Sequence, residues 1–225
     1  LLDNTIVVFL TDNGPQQRRY TAGLRARKGS VYEGGIKVPL FIHYPEGLPA
    51  DRDVPGPAAH VDVLPTLLDL CGLTHPEPAT LDGLSMIPLI GGDRAAFDKR
   101  PLYWHWQRGY PERYRNMAIR VGNYKLVGHT DFRAELRELE LYNLAEDPFE
   151  QRNLVQKEPD VARALKAELD TWYNGVITNE NTVSPPRIQI GGVEEPVLLN
   201  RNDARGMPGI WKQREAYGYW DITVA

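Results

Sequence analysis

Asp12 and Asn13 stand side by side after the apolar run Thr5 to Leu10 and before Gly14-Pro15. A carboxylate beside a carboxamide offers hard oxygen ligands, which suit Ca²⁺ or Mg²⁺ better than Zn²⁺. The same residues also suit a simple capped turn, because Asn-Gly and Gly-Pro pairs punctuate chains of every kind. Lys28 lies in a second loop, Arg25 to Pro39, where Gly29, Gly34 and Gly35 let the backbone approach a ligand closely. A lysine there is a mobile point charge rich in N–H donors, so the loop suits an anion; the alternative is a solvated basic loop.

The element that must position Asp12 and Asn13 is the run before them. A run apolar at nearly every position reads as a strand buried on both faces, as in a parallel sheet covered by helices. Ligands gather at the carboxyl ends of such strands. Val38 to Tyr44 reads as another strand of this kind. A doubly covered sheet usually carries about five or six strands, so most of it is expected from residues outside this chain. Ca²⁺ takes about six to eight oxygens, more than Asp12 and Asn13 can supply, so weak or no specific metal binding is expected of this chain alone.

A helix fits Asp62 to Cys71, with Asp62 as its cap, Leu64, Leu67, Leu68 and Cys71 along one face, and Gly72 at its end. Cys71 is then a core residue, and His60, just before the helix, is structural. The Pro- and Gly-rich stretch His75 to Asp98 reads as a surface crossing between two parts. Residues 1–98 are assigned to an α/β core, 99–178 to an α+β subdomain and 179–225 to an extension. Leu102 to Trp106, Arg115 to Val121, Tyr124 to Val127 and Glu138 to Tyr142 suggest a small antiparallel sheet, with Gly122-Asn123 as a hairpin turn. Pro159 can open a helix whose Val161, Leu165, Leu169 and Trp172 form one stripe before Gly175 stops it. The terminal segment Tyr219 to Ala225 looks like a strand cut short, with no partner after it.

Composition narrows the function classes. The chain has 225 residues, 42% hydrophobic, and a formal net charge of −4 with interspersed signs. It therefore lacks the basic face that nucleic acid demands. One cysteine allows no intrachain disulfide. The apolar runs fall far short of the ~20 residues of a membrane span.

Asp12-Asn13-Gly14, followed by Lys28-Gly-x-x-Tyr-Glu-Gly-Gly-x-x-Val-Pro39, resembles the second half of a sulfatase of the arylsulfatase type, in the alkaline phosphatase superfamily. The resemblance continues through His60-Val-Asp-Val-Leu-Pro-Thr-Leu-Leu-Asp-Leu70, Leu81-Asp-Gly-Leu-Ser85, Ala118-Ile-Arg-Val-Gly-Asn-Tyr-Lys125 and Glu140 to Leu154. It implies an α/β fold: the C-terminal part of an alkaline-phosphatase-like, mostly parallel sheet core, then a smaller α+β subdomain with an antiparallel sheet and one packed helix. It implies a parent enzyme, periplasmic or secreted, that hydrolyses sulfate esters of sugars, phenols or steroids.

Carried over by position, the resemblance makes Asp12 and Asn13 ligands of a divalent cation, usually Ca²⁺, with Mg²⁺ as the alternative. It makes Lys28 the lysine that contacts the sulfate and stabilises the ester oxygen as it leaves. The implied nucleophile is a formylglycine made from Cys or Ser in a Cys/Ser-x-Pro/Ala-x-Arg motif. Cys71 is followed by Gly-Leu-Thr-His, and Ser184-Pro-Pro-Arg187 carries its Arg one position early, with Ile188 in the required place. Neither is assigned, and the nucleophile is expected in an N-terminal half missing from this chain, which should be inactive alone. Glu33 is expected to hold its loop by pairing with Arg27 or Lys37, and His105 is left outside the site. The rival readings are a phosphodiesterase or phosphonate hydrolase of the same superfamily, and a non-catalytic binding or scaffold module with this fold.

Overall fold

Leu10 faces Leu40 in a short antiparallel ribbon formed by β1 (Val7–Leu10) and β2 (Leu40–His43). The computed structural model describes residues 4–17, 19–75, 80–107, 111–129, 133–177, 187–192, 196–200, 203–206, 214–215 and 217–224. They fall into two units, Leu1–Gln107 with Glu112–Thr171, and Arg108–Pro111 with Trp172–Ala225.

In the first unit the ribbon alternates strictly, as a period of two requires. Leu40 and Ile42 pack on a cluster of Met86, Leu89 and Phe97. That cluster is carried by the short helices α3 (Ile87–Gly91) and α4 (Ala95–Lys99), which follow α1 (Glu33–Ile36) and α2 (Val63–Leu70) in the chain. On the other face Val7, Phe9 and Phe41 are 48%, 57% and 64% exposed, with the opposed rings of Phe9 and Phe41 6.1 Å apart. The expectation of strands buried on both faces is thus corrected: one layer of helices covers the ribbon, and no second layer exists among the described residues. The stretch read as a surface crossing is corrected too, since Met86, Leu89 and Phe97 are its buried core residues.

Helix α2 departs from its expected orientation. Leu64 and Cys71 are exposed, and the buried side chain is Thr66. Leu67 and Leu68 are half-buried, and the buried contact is polar: Thr66 Oγ1 donates to the Asp62 carbonyl (2.6 Å) and accepts from the Met86 N–H (2.8 Å). Cys71 is therefore a surface residue and not a core one. Gly72, at φ 63°, ends the helix as its position predicts. Asp62 stands at the N-cap position, but its side chain makes no cap hydrogen bond to α2, which corrects the expected role. Its fully buried carboxylate accepts from the N–H groups of Ala59 (2.7 Å) and Leu84 (2.9 Å) and pairs with both Nη atoms of Arg100. Gly83 presses so close that a Cβ there would stand 1.9 Å from the Val61 carbonyl oxygen. Leu81 to Ser85 is thereby welded to the turn that opens α2.

The antiparallel sheet runs in the order β3 (Pro101–His105), β4 (Arg115–Val121), β5 (Tyr124–His129), β6 (Glu140–Asn143). Gly122, at φ 57°, makes the two-residue hairpin between β4 and β5. Met117, Ala118, Ile119, Leu126, Val127 and Leu141 have no exposed surface, so this sheet holds the main core. Helix α5 (Pro159–Ile177) is tied to it by Tyr103 Oη donating to Glu168 (2.8 Å) and by Lys166 Nζ donating to Tyr114 Oη (2.5 Å). Its buried residues are Ala162, Leu165, Leu169 and Tyr173, a stripe rotated slightly from the expected one. Nor does Gly175 stop it. A glycine inside a helix costs only about 1 kcal/mol, which a long helix absorbs.

In the second unit β7 (Ile188–Ile190) pairs in parallel with β10 (Ile222–Val224), and β8 (Arg205–Gly206) pairs antiparallel with β9 (Gly218–Tyr219). The partner of the terminal strand is thus β7, which precedes it in the chain, and Asp221 pairs with Arg205 (2.5 Å). Ser184 lies outside the described residues. No described helix is long and apolar enough to cross a membrane.

Candidate active site

Asp12 and Asn13 leave the carboxyl end of β1 in a turn held by glycine contacts. The Gly14 N–H donates to the Gly35 carbonyl at 2.8 Å, and a Cβ on Gly14 would lie 2.0 Å from the Gly34 carbonyl oxygen. Gly34 donates in turn to the Arg25 carbonyl (2.8 Å), and a Cβ on Gly35 would lie 2.0 Å from the Ser30 carbonyl oxygen. Backbone meets backbone at separations no other residue permits. The Lys28 N–H closes the knot on the Pro15 carbonyl at 3.1 Å. The structure thus brings the Asp12-Asn13 turn and the Lys28 loop into one backbone assembly. The side chains of Asp12 and Lys28 are exposed, and Asn13 is half-buried. An open hollow of about 340 Å³ adjoins the turn, lined by Asn13, Tyr20 and Lys37 among others, but by neither Asp12 nor Lys28.

The strand end is anchored as well. His60 Nε2 lies 2.7 Å from the Thr11 carbonyl oxygen, and the 3-10 turn carrying His60 is held by Asp62. His60 is therefore structural, as expected.

Beneath the Lys28 loop lies a buried ionic cluster. Lys125 Nζ is 2.8 Å from Glu33 Oε1 and 2.8 Å from Glu150 Oε1, with no exposed lysine side-chain surface. Glu150 Oε2 also accepts from the Glu33 N–H at 2.7 Å. The expected pairing of Glu33 with Arg27 or Lys37 is corrected: the carboxylate turns inward at the start of α1, where β5 delivers Lys125. Burial pushes the Glu150 carboxyl above its usual range, against the opposing charge of Lys125. Arg25 adds a second tie. Its guanidinium lies 3.8 Å over the Tyr32 ring and donates to Tyr142 Oη (2.6 Å) and the Glu150 carbonyl (2.8 Å). Burial and hydrogen bonds to Glu140 push the phenols of Tyr32 and Tyr142 up, so both stay neutral donors.

Asn116 fixes the loop from the sheet side. Its Oδ1 accepts from the Val31 N–H (3.1 Å), and its Nδ2 donates to the carbonyls of Gly29 and Trp106, both at 2.9 Å. His105 lies opposite Met117 in the sheet, where burial lowers its imidazole pKa.

Lys125, Glu140, Glu150 and Asn116 carry no role in the sequence reading. The signal available was a lysine inside an otherwise apolar strand, Tyr124 to His129. For a cation, Asp12 and Asn13 provide the right donor chemistry but only part of a shell. Among the described residues no group of three or more His, Cys, Asp or Glu is placed to hold a metal.

A family model described as N-sulphoglucosamine sulphohydrolase, C-terminal, matches residues 26–174. A protein of Formosa agariphila named sulfatase is 33% identical over 189 residues, covering 76% of this chain and 33% of its own length. Human arylsulfatase A is 34% identical over 193 residues, covering 74% of this chain and 37% of its own length. The crystal structure of Ps i-CgsB superposes with a TM-score of 0.62 at 28% identity, over 76% of this chain and 37% of that one. The chain thus spans about a third of the length of the curated relatives it matches.

Proposed function

The chain belongs to the sulfatase family, to whose C-terminal part it corresponds, and on that premise we propose that it supplies part of an active site for sulfate ester hydrolysis. The observation that carries this reading is the glycine knot, which puts a carboxylate and carboxamide at a strand end in one assembly with a lysine loop. A sulfuryl group in transfer spreads negative charge over its oxygens, and groups fixed before the reaction stabilise that charge better than water does. Lys28 contacts the sulfate and donates a hydrogen bond to the ester oxygen as the S–O bond breaks. Asp12 and Asn13 supply oxygen ligands to a divalent cation, Ca²⁺ or Mg²⁺, whose charge would offset that on the sulfuryl oxygens. The cluster of Glu33, Lys125 and Glu150 holds the loop that carries Lys28. Both the nucleophile, a formylglycine, and the remaining metal ligands come from residues outside this chain, so the 225 residues alone are inactive.

Asp12→Ala in the full-length protein tests this directly. Loss of a metal ligand should lower turnover by at least about a hundredfold, since outer-shell partners alone cost about 10- to 100-fold. Calorimetric Ca²⁺ titration should show a matching loss of affinity. Unchanged turnover would leave Asp12 a turn residue. Paired aryl sulfate and aryl phosphodiester substrates decide the reaction class, and a clear preference for the phosphodiester would overturn the sulfatase reading.

A further inference from the structure

Trp106 follows β3 directly, and the same side chain that clamps the Lys28 loop holds its backbone. The Trp106 N–H donates to the Asn116 carbonyl at 3.1 Å, while Asn116 Nδ2 donates to the Trp106 carbonyl and to that of Gly29, the residue after Lys28. Asn116 is 8% exposed and adopts φ 55° at an irregularity in the pairing of β4 with β5, between Arg115 and Met117. A β-bulge of this kind re-aims side chains at the rim of a sheet. Here it directs one buried amide at two segments far apart in the chain, and so sets their separation.

Gly29 lies beside the indole. A Cβ on it would lie 3.7 Å from Cη2 and 3.7 Å from Cζ2 of Trp106, and its own φ of 87° favours glycine. The benzo edge of the indole therefore lies beside the residue next to Lys28, with room for no more than a methyl group between them. Trp106 is still 45% exposed. An exposed aromatic ring thus stands beside the backbone residue that follows Lys28.

We propose that Trp106 is the stacking platform for the ring of the ester's alcohol portion, the substrate being a sulfated pyranoside whose sulfate meets Lys28. The proposal rests on the sulfatase reading above. A pyranose presents a flat face of polarised C–H groups, which suits the negative face of an indole. Aryl sulfates share a flat ring face, whereas short alkyl sulfates have none.

The test compares Trp106→Leu, which keeps apolar bulk, with Trp106→Phe, which keeps a ring, in the full-length protein. The substrates are a 6-sulfated glucopyranoside, 4-nitrophenyl sulfate and ethyl sulfate. Trp106→Leu should raise KM for the pyranoside by about tenfold with a smaller change in kcat. Trp106→Phe should recover most of the loss, and ethyl sulfate should respond less. A loss confined to the aryl ester overturns the pyranoside assignment. Equal effects on all three esters, or none, overturn the platform. If the unsubstituted protein hydrolyses none of the three, the sulfatase reading fails separately. The platform is then decided by NMR of the bound pyranoside sulfate, whose ring C–H protons should move upfield with Trp106 and not with Leu.

Discussion

Lys125→Met should lower the stability of this chain by about 3–5 kcal/mol, the range for removing one partner from a buried ion pair. Methionine nearly preserves the volume, so the loss is electrostatic: the carboxylates of Glu33 and Glu150 remain buried with no cation between them. The pH dependence identifies the cause. Glu150 already titrates above its ordinary value of 4.5 because it is buried, and the charge of Lys125 restrains that rise. Without the lysine it rises further. An acid with a higher pKa folded than unfolded binds more protons when folded, so stability falls as pH climbs from the ordinary carboxylate range through the raised value. It is regained as pH falls. Urea unfolding followed by circular dichroism should therefore show the variant's deficit shrinking from pH 7 towards pH 5, and adding Glu150→Gln should restore part of it at pH 7. A deficit equal at both pH values would mean that lost packing, not uncompensated charge, is the cause.

Lys28→Ala in the full-length protein should lower kcat by about 100- to 1,000-fold, the cost of one preorganised donor to developing charge. KM should change less, because the interaction strengthens only as the S–O bond breaks. The leaving group supplies the sharper readout. A sugar alkoxide leaves with more charge to stabilise than a nitrophenolate, so the loss should be larger for a pyranoside sulfate than for 4-nitrophenyl sulfate. Equal losses, or a change confined to KM, would reduce Lys28 to a binding residue.

Both predictions concern one loop, and they differ in how far the sequence led to them. Lys28 is legible as a candidate from its own neighbourhood, because the glycines and the Tyr-Glu-Gly-Gly run are local and ordered. Lys125 was part of the same resemblance without a role, since a lysine in an apolar strand does not announce its partner. Its contacts with Glu33 and Glu150 bridge distant positions, as does the grip of Asn116 on Gly29. Glu33 shows the cost of reasoning from neighbours: Arg27 and Lys37 were close in sequence, but the interior cation came from another element.

The secondary structure divides along the same line. Gly122-Asn123, Gly72, Pro159 and the alternating segments of the antiparallel sheet were legible because turn chemistry, helix starts and period-two patterning act over a few residues. Burial was less legible. Thr5 to Leu10 is apolar at every position after Thr5, but the described residues cover its strand on one face alone, leaving Phe9 exposed. In α2 the expected stripe is half-buried at Leu67 and Leu68 and exposed at its ends, Leu64 and Cys71, while full burial goes to Thr66, whose hydroxyl finds both its partners.

Local order along the chain was enough to establish the family, the candidate pair Asp12 and Asn13, the loop of Lys28 and most of the elements that carry them. Which charges meet beneath that loop, which amide grips it and which indole lies beside it were decided by the tertiary structure alone. Turns and strand patterns follow from neighbouring residues, whereas the partners of Lys125 and Asn116 are set by which distant segments the sheet and its bulge bring within hydrogen-bond reach.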